Sequence, residues 1–186
     1  MEAPEKTRRI EIQVHDKSFV PFISEEEIAA RVHEISHQMN QDLAGKNPIF
    51  LAILNGAFMF AADVFKKLDI PAEIVFIRLA SYWGTKSTGN VVTLLGLDQD
   101  VSGRTVVILE DIIDTGKTLA EFLPKLQERG PAEVKIATLL IKPNALQHDI
   151  PVAYQGFEIP SKFVVGYGLD YDGLGRNLSD IYKVKE

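Results

Sequence analysis

Residues 106–119 read VVILEDIIDTGKTL: an apolar run, carboxylates at Glu110, Asp111 and Asp114, and then a helix-like stretch. Gathering negative charge at the end of a buried strand costs desolvation and repulsion. Helix capping accounts for Asp114, since Asp is a common N-cap, but leaves Glu110 and Asp111 without a role. Asp114 to Thr118 adds two hydroxyls, one Gly and the free N–H groups of a helix N-terminus, which together form an anion cradle of phosphate size. It is not a Walker A loop, because that spacing requires Gly where Asp111 stands. A ribose diol and a hydrated Mg²⁺ both reconcile carboxylates with a phosphate cradle, so the stretch predicts a site for a ribose phosphate.

The surrounding pattern alternates strand and helix. Before this stretch, PIFLAIL (48–54) is a continuous apolar run of strand length, AFMFAADVFKKL (57–68) has helical character and AEIVFIRLA (72–80) is rich in β-branched residues. Around it, TVVILE (105–110) predicts a strand, GKTLAEFLPKLQERG (116–130) a helix closed by Gly130 and Pro131, and EVKIATLLI (133–141) a further strand. Pro124 predicts a kink or a delayed start in that helix. Nearer the N-terminus, Ser24 and Glu27 have capping-box spacing ahead of Ile28, Val32 and Ile35, which predicts an amphipathic helix ending near Gly45.

Strands apolar on both faces and joined by helices define an α/β fold, with a central, mostly parallel sheet flanked by helices. SYWGTKSTGNVVTLLGLDQDVSG (81–103) is too long for an ordinary connection, and long loops in compact domains are usually functional or disordered. The C-terminal segment adds a short strand and a loop with Gly173 and Gly175.

Composition narrows the function classes. With 186 residues, 46% hydrophobic, and no Pro-rich or Ser/Gly-rich linker, a single domain over 1–186 is the expectation. The absence of cysteine excludes thiolate chemistry and a disulfide framework. A net charge of −6 without a long Lys/Arg cluster argues against nucleic acid as a partner. The charged start lacks an apolar signal region, and the longest apolar stretch is broken by Asn55, Gly56 and Asp63, so a cytoplasmic protein without a membrane span is expected. His15, His33, His37 and His148 have no spacing that suggests a metal or catalytic site.

VVILEDIIDTGKTL resembles the 5-phosphoribosyl-1-pyrophosphate (PRPP) motif of type I phosphoribosyltransferases, and the acidic Asp114 is similar to that of their hypoxanthine-guanine, or 6-oxopurine, branch. LNGAFMF resembles the family's pyrophosphate loop, SYWGTKSTG its mobile catalytic loop, and LLIK followed by GFEIPSKFVVGYGLDY its purine pocket. These motifs span about residues 50–180 in the family's order.

The resemblance implies a core over about 45–165 and a small hood built from the N- and C-terminal segments. It implies that Glu110 and Asp111 hold the ribose hydroxyls, directly or through Mg²⁺, and that Asp114, Thr115, Gly116, Lys117 and Thr118 cradle the 5-phosphate. Asp114 would also accept the proton of purine N7 as the catalytic base. Lys142 would donate to the 6-oxygen, Phe163 would stack on the ring, and Val164 and Asp170 would meet the N1 and C2 edge. Asn55, Gly56, Ser81, Tyr82 and Arg176 would contact pyrophosphate, and Asp170 a second Mg²⁺.

On residue chemistry alone, Lys142 could equally be a solvated charge, Phe163 core packing, and Arg176 the partner of a nearby Asp. In one departure, Asn55 stands where the family often has Lys or Arg; in another, DYDGLGR carries two glycines where bulkier residues are common. PRPP and a purine base are the implied partners, in a homodimer or homotetramer, with a PRPP- or nucleotide-sensing regulator as the second reading.

Overall fold

The computed structural model describes residues 10–82 and 91–185. After two short strands, β1 (Ile12–Val14) and β2 (Lys17–Ile23), come α1 (Glu25–Asp42), β3 (Ile49–Leu54), α2 (Phe58–Phe65), β4 (Glu73–Tyr82) and β5 (Val91–Leu95). The second half is β6 (Thr105–Ile113), α3 (Lys117–Gln127), β7 (Glu133–Ile141), β8 (Tyr154–Glu158), β9 (Val164–Val165) and β10 (Ile181–Val184). The expected capping box opens α1: the Ser24 hydroxyl accepts from the Glu27 N–H at 3.1 Å, and the Glu27 carboxylate accepts from the Ser24 N–H at 2.8 Å.

The central sheet has the order β5-β4-β3-β6-β7-β8. Its pairings from β4 to β8 are parallel, and β5 is an antiparallel edge. Side-chain alternation explains the apolar runs. Ile49, Leu51, Ile53, Val106 and Ile108 pack with Leu119, Phe122 and Leu126 of α3. Their neighbours Phe50, Ala52, Val107 and Leu109 pack on the other face with Ile28, Val32 and Met39 of α1 and Phe60 and Val64 of α2. A strand buried on both faces has no polar position to spare, so a carboxylate can appear only where the sheet ends.

The two ends of the chain meet in an antiparallel sheet of order β1-β2-β10-β9, the expected hood, around Val14, Phe19, Val165 and Tyr182. Among the described residues no helix is long and apolar enough to cross a membrane.

Two expectations need correction. Residues 81–103 do not form one long loop: Ser81 and Tyr82 end β4, and Val91–Leu95 return antiparallel as β5, with Tyr82 opposite Val91. VVTLL adjoins a Gly/Ser/Thr-rich stretch, but its β-branched residues suit a strand. Residues 83–90, including Trp83, lie outside the described residues. Next, of the two outcomes expected at Pro124 the delayed start does not occur: α3 begins at Lys117 and runs through Pro124 to Gln127. A further strand, β8, has Gly156 at its centre. Glycine is required there, since a Cβ would run into the Leu139 carbonyl of the neighbouring strand.

Candidate active site

β6 outlasts its neighbour. It pairs with β3 only from Val106 to Leu109, and with β7 as far as Ile113. From Glu110 onward one side of β6 is therefore open, at the carboxyl end of the sheet where ligands of α/β folds bind. Glu110 is buried, at 8% exposure, and Asp111 is partly exposed. Burial, reinforced by the adjacent Asp111 carboxylate, pushes the Glu110 carboxyl well above the usual range. Asp111 donates its N–H to Glu110 at 3.1 Å, and its own carboxylate accepts the Ile112 N–H at 2.9 Å. The pair is held in place by its own backbone, with the second Asp111 oxygen packed against Gly56.

The cradle follows directly. Gly116, in the left-handed region at φ 77°, caps α3 with no side chain of its own; the Thr115 hydroxyl accepts the Lys117 N–H at 3.3 Å, and the following first-turn N–H groups are left for an anion. The capping reading of Asp114 is thereby removed. A cavity of about 220 Å³ lies here, lined by Glu110, Ile112 and the run from Ile113 to Leu119.

A second cavity, of about 250 Å³, is lined by Asp111, Ile112, Asp114, Lys142, Phe163, Val164, Leu169 and Asp170. Ile112 and Asp114 line both cavities, so Asp114 stands at their junction. Lys142 follows β7 and is buried, at 8% exposure, with its ammonium 2.7 Å from the Asp114 carboxylate. The reading of Lys142 as a solvated charge is therefore excluded. Phe163 is 43% exposed, which excludes simple core packing. Its ring leans on Tyr171, at 5.5 Å between centroids, and on Phe19 at 6.2 Å.

The third side is the turn from β3 to α2. The Leu54–Asn55 peptide is cis, and Gly56 is buried against Asp111, so that a Cβ there would overlap the carboxylate. A Cβ at Gly168 would in turn run into the Gly56 carbonyl. Arg176 bonds the Gly168 carbonyl at 2.6 Å and pairs with Asp170 at 2.7 Å, while the other Asp170 oxygen accepts the Gly173 N–H at 2.7 Å. The ordinary reading of Arg176, as the partner of a nearby Asp, is the one seen here. Ser81 and Tyr82 are at the end of β4, the strand beside β3. Among the described residues no three ligating side chains converge as a metal cage.

Supporting residues escaped the sequence reading. Tyr167, at φ 47°, donates to Asp63 of α2 at 2.6 Å. His15 meets Tyr171 edge-on at 5.4 Å between centroids, and the Tyr171 hydroxyl donates to Asp16 at 2.6 Å. Such contacts join residues more than a hundred positions apart and leave no local pattern. The one available signal was the tight Gly-Tyr-Gly run at 166–168.

A phosphate cradle at the carboxyl end of a parallel sheet, with a carboxylate pair beside it and a hooded cavity next door, defines a protein that binds a phosphorylated sugar and a planar ring. The chain belongs to the phosphoribosyltransferase family: the phosphoribosyl transferase domain model matches residues 23–172. It is 46% identical over 158 residues to the hypoxanthine-guanine phosphoribosyltransferase of Lactococcus lactis, covering 84% of this chain and 86% of the relative. The enzyme of the same description from Mycobacterium tuberculosis is 38% identical over 167 residues, with 86% and 83% covered. A solved hypoxanthine-guanine phosphoribosyltransferase of Bacillus anthracis superposes with TM-score 0.82 at 36% identity, over 89% of this chain and 98% of that one.

Proposed function

We propose that the protein transfers the 5-phosphoribosyl group from PRPP to N9 of hypoxanthine or guanine, releasing pyrophosphate. The observation that carries this reading is the Lys142–Asp114 pair in the second cavity, a buried donor 2.7 Å from an acceptor. A 6-oxopurine carrying its proton on N7 presents the complementary edge, with an acceptor at O6 beside a donor at N7. Phe163 offers a stacking face, and the buried Val164 backbone borders the same cavity.

The C1–oxygen bond to pyrophosphate breaks as the C1–N9 bond forms, and the N7 proton passes to Asp114. Positive charge builds on the ribose and negative charge on the leaving group; Glu110 and Asp111 stabilise the former from the open side of β6. Their hard oxygen donors suit Mg²⁺, which typically uses one or two carboxylates together with substrate phosphates rather than a protein cage. Glu110 and Asp111 would hold one ion and Asp170 would help hold a second, and when bound they supply charge neutralisation on the leaving group. The cradle from Asp114 to Thr118 holds the 5-phosphate, and Asn55, Gly56, Ser81, Tyr82 and Arg176 surround the pyrophosphate. For Arg176 to reach pyrophosphate, its bond to Asp170 must be exchanged.

The test is the ratio of kcat/KM for hypoxanthine, guanine and adenine. Adenine places a donor against Lys142 and strands a buried cation, so it should be rejected by about 10⁴- to 10⁵-fold. The gap should narrow in Lys142→Gln, whose amide presents a donor or an acceptor. Efficient adenine use by the native protein would overturn the reading.

A further inference from the structure

The turn from β3 to α2 has no cationic side chain of its own, because Asn55 occupies the position just before Gly56. The neighbouring strand brings one. In the parallel register of β3 and β4, Arg78 lies opposite Leu54, one residue short of the turn. Arg78 alternates with buried Ile77 and so shares a face with Ile74, which packs on the α1–α2 core; this is the side toward which the chain leaves β3. Its guanidinium donates to the Asn55 side-chain oxygen at 3.2 Å.

Two consequences follow from the chemistry of the pair. A guanidinium has donors and no acceptor, so the Asn55 oxygen must face Arg78 and the Asn55 amide N–H groups must point elsewhere. Arg78 spends one donor on Asn55 and keeps the rest of its planar fork, which suits phosphate oxygens. Among the described residues it has no carboxylate partner to neutralise it. Both side chains are exposed. The result is a donor-only surface carrying one positive charge, beside the Gly56 turn.

We infer that Arg78, oriented by Asn55, is a pyrophosphate-binding residue of this protein and supplies from β4 the charge that the turn itself lacks. The inference rests on the proposed transferase reading and adds a residue to it. Magnesium pyrophosphate binding, measured directly by calorimetry alongside GMP binding, separates the two. Arg78→Gln should weaken magnesium pyrophosphate by about 10-fold or more, the scale of losing a bond to a charged group, and leave GMP unchanged. Asn55→Lys placed in the Arg78→Gln background should restore pyrophosphate binding, because the charge then sits in the turn. Unchanged pyrophosphate affinity in Arg78→Gln would overturn the inference, as would an equal loss for both ligands, which marks a structural role. A native protein that binds GMP but not magnesium pyrophosphate would also refute it, and one that binds neither would remove the transferase reading itself.

Discussion

The proposed phosphate side of the site is one unbroken stretch, Glu110 to Thr118, whereas the proposed purine side is assembled from Lys142, Phe163, Val164 and Asp170 on separate segments. The first is positioned by its own backbone: β6 ends, Gly116 turns, α3 begins. The second depends on distant supports. Phe163 rests on Phe19 of β2 and on Tyr171, and the 166–168 turn is tied to α2 through Tyr167 and Asp63. A contiguous site tolerates disturbance elsewhere in the fold, while an assembled one transmits it.

Asp114 belongs to both sides, and changing it should have the largest effect. Asp114→Asn keeps the shape and removes the base, so the chemical step should slow by about 10²- to 10⁴-fold while PRPP still binds. Single-turnover rates at neutral pH measure that step. An unchanged rate would detach Asp114 from proton transfer and leave it a cradle residue only.

Gly56→Ala should come next. The new methyl overlaps the Asp111 carboxylate, so either the turn or the carboxylate must shift. Displacement of a positioning group by about 1 Å costs on the order of 10²-fold in rate, and kcat/KM for PRPP should fall accordingly with the circular dichroism spectrum intact. Full activity would show that the turn from β3 to α2 relaxes freely, contrary to its close approach to both Asp111 and Gly168.

The same contrast explains what could be read from sequence. Alternating apolar runs, the Ser24–Glu27 capping box and the 106–119 stretch are local, so the parallel sheet, α1 and the strand–turn–helix junction from β6 to α3 are legible from spacing. Arg78 was not, because nothing around it in FIRLA distinguishes it from a solvated charge; the register with β3 gives it a partner. Tyr167 and Tyr171 were hidden for the same reason. The hood was legible only through resemblance, since β1, β9 and β10 are too short for periodicity to show.

The smallest expected effect probes the assembled side through Tyr167→Phe, which removes the hydroxyl bonded to Asp63 and keeps the ring. Burial, together with the Asp63 carboxylate, pushes the Tyr167 phenol upward, so it remains a donor throughout the working pH range. Burial alone would raise the Asp63 carboxyl, but its hydrogen bonds with Lys66 and Tyr167 outweigh it and hold the group below the ordinary carboxylate value. A depressed folded-state value contributes stability that is present above the unfolded value, near pH 4, and lost as pH falls through the folded one. Removing the hydroxyl should therefore cost about 1 kcal/mol at pH 7, from a bond to a partly exposed carboxylate, and progressively less below about pH 4. Urea midpoints of native and variant protein at pH 7 and pH 3 provide the comparison. The KM for guanine should rise a few-fold with kcat nearly unchanged, because the 166–168 turn lies between Val164 of β9 and Asp170. A destabilisation equal at both pH values would assign Tyr167 to packing, and the link between α2 and the purine side would then not run through this bond.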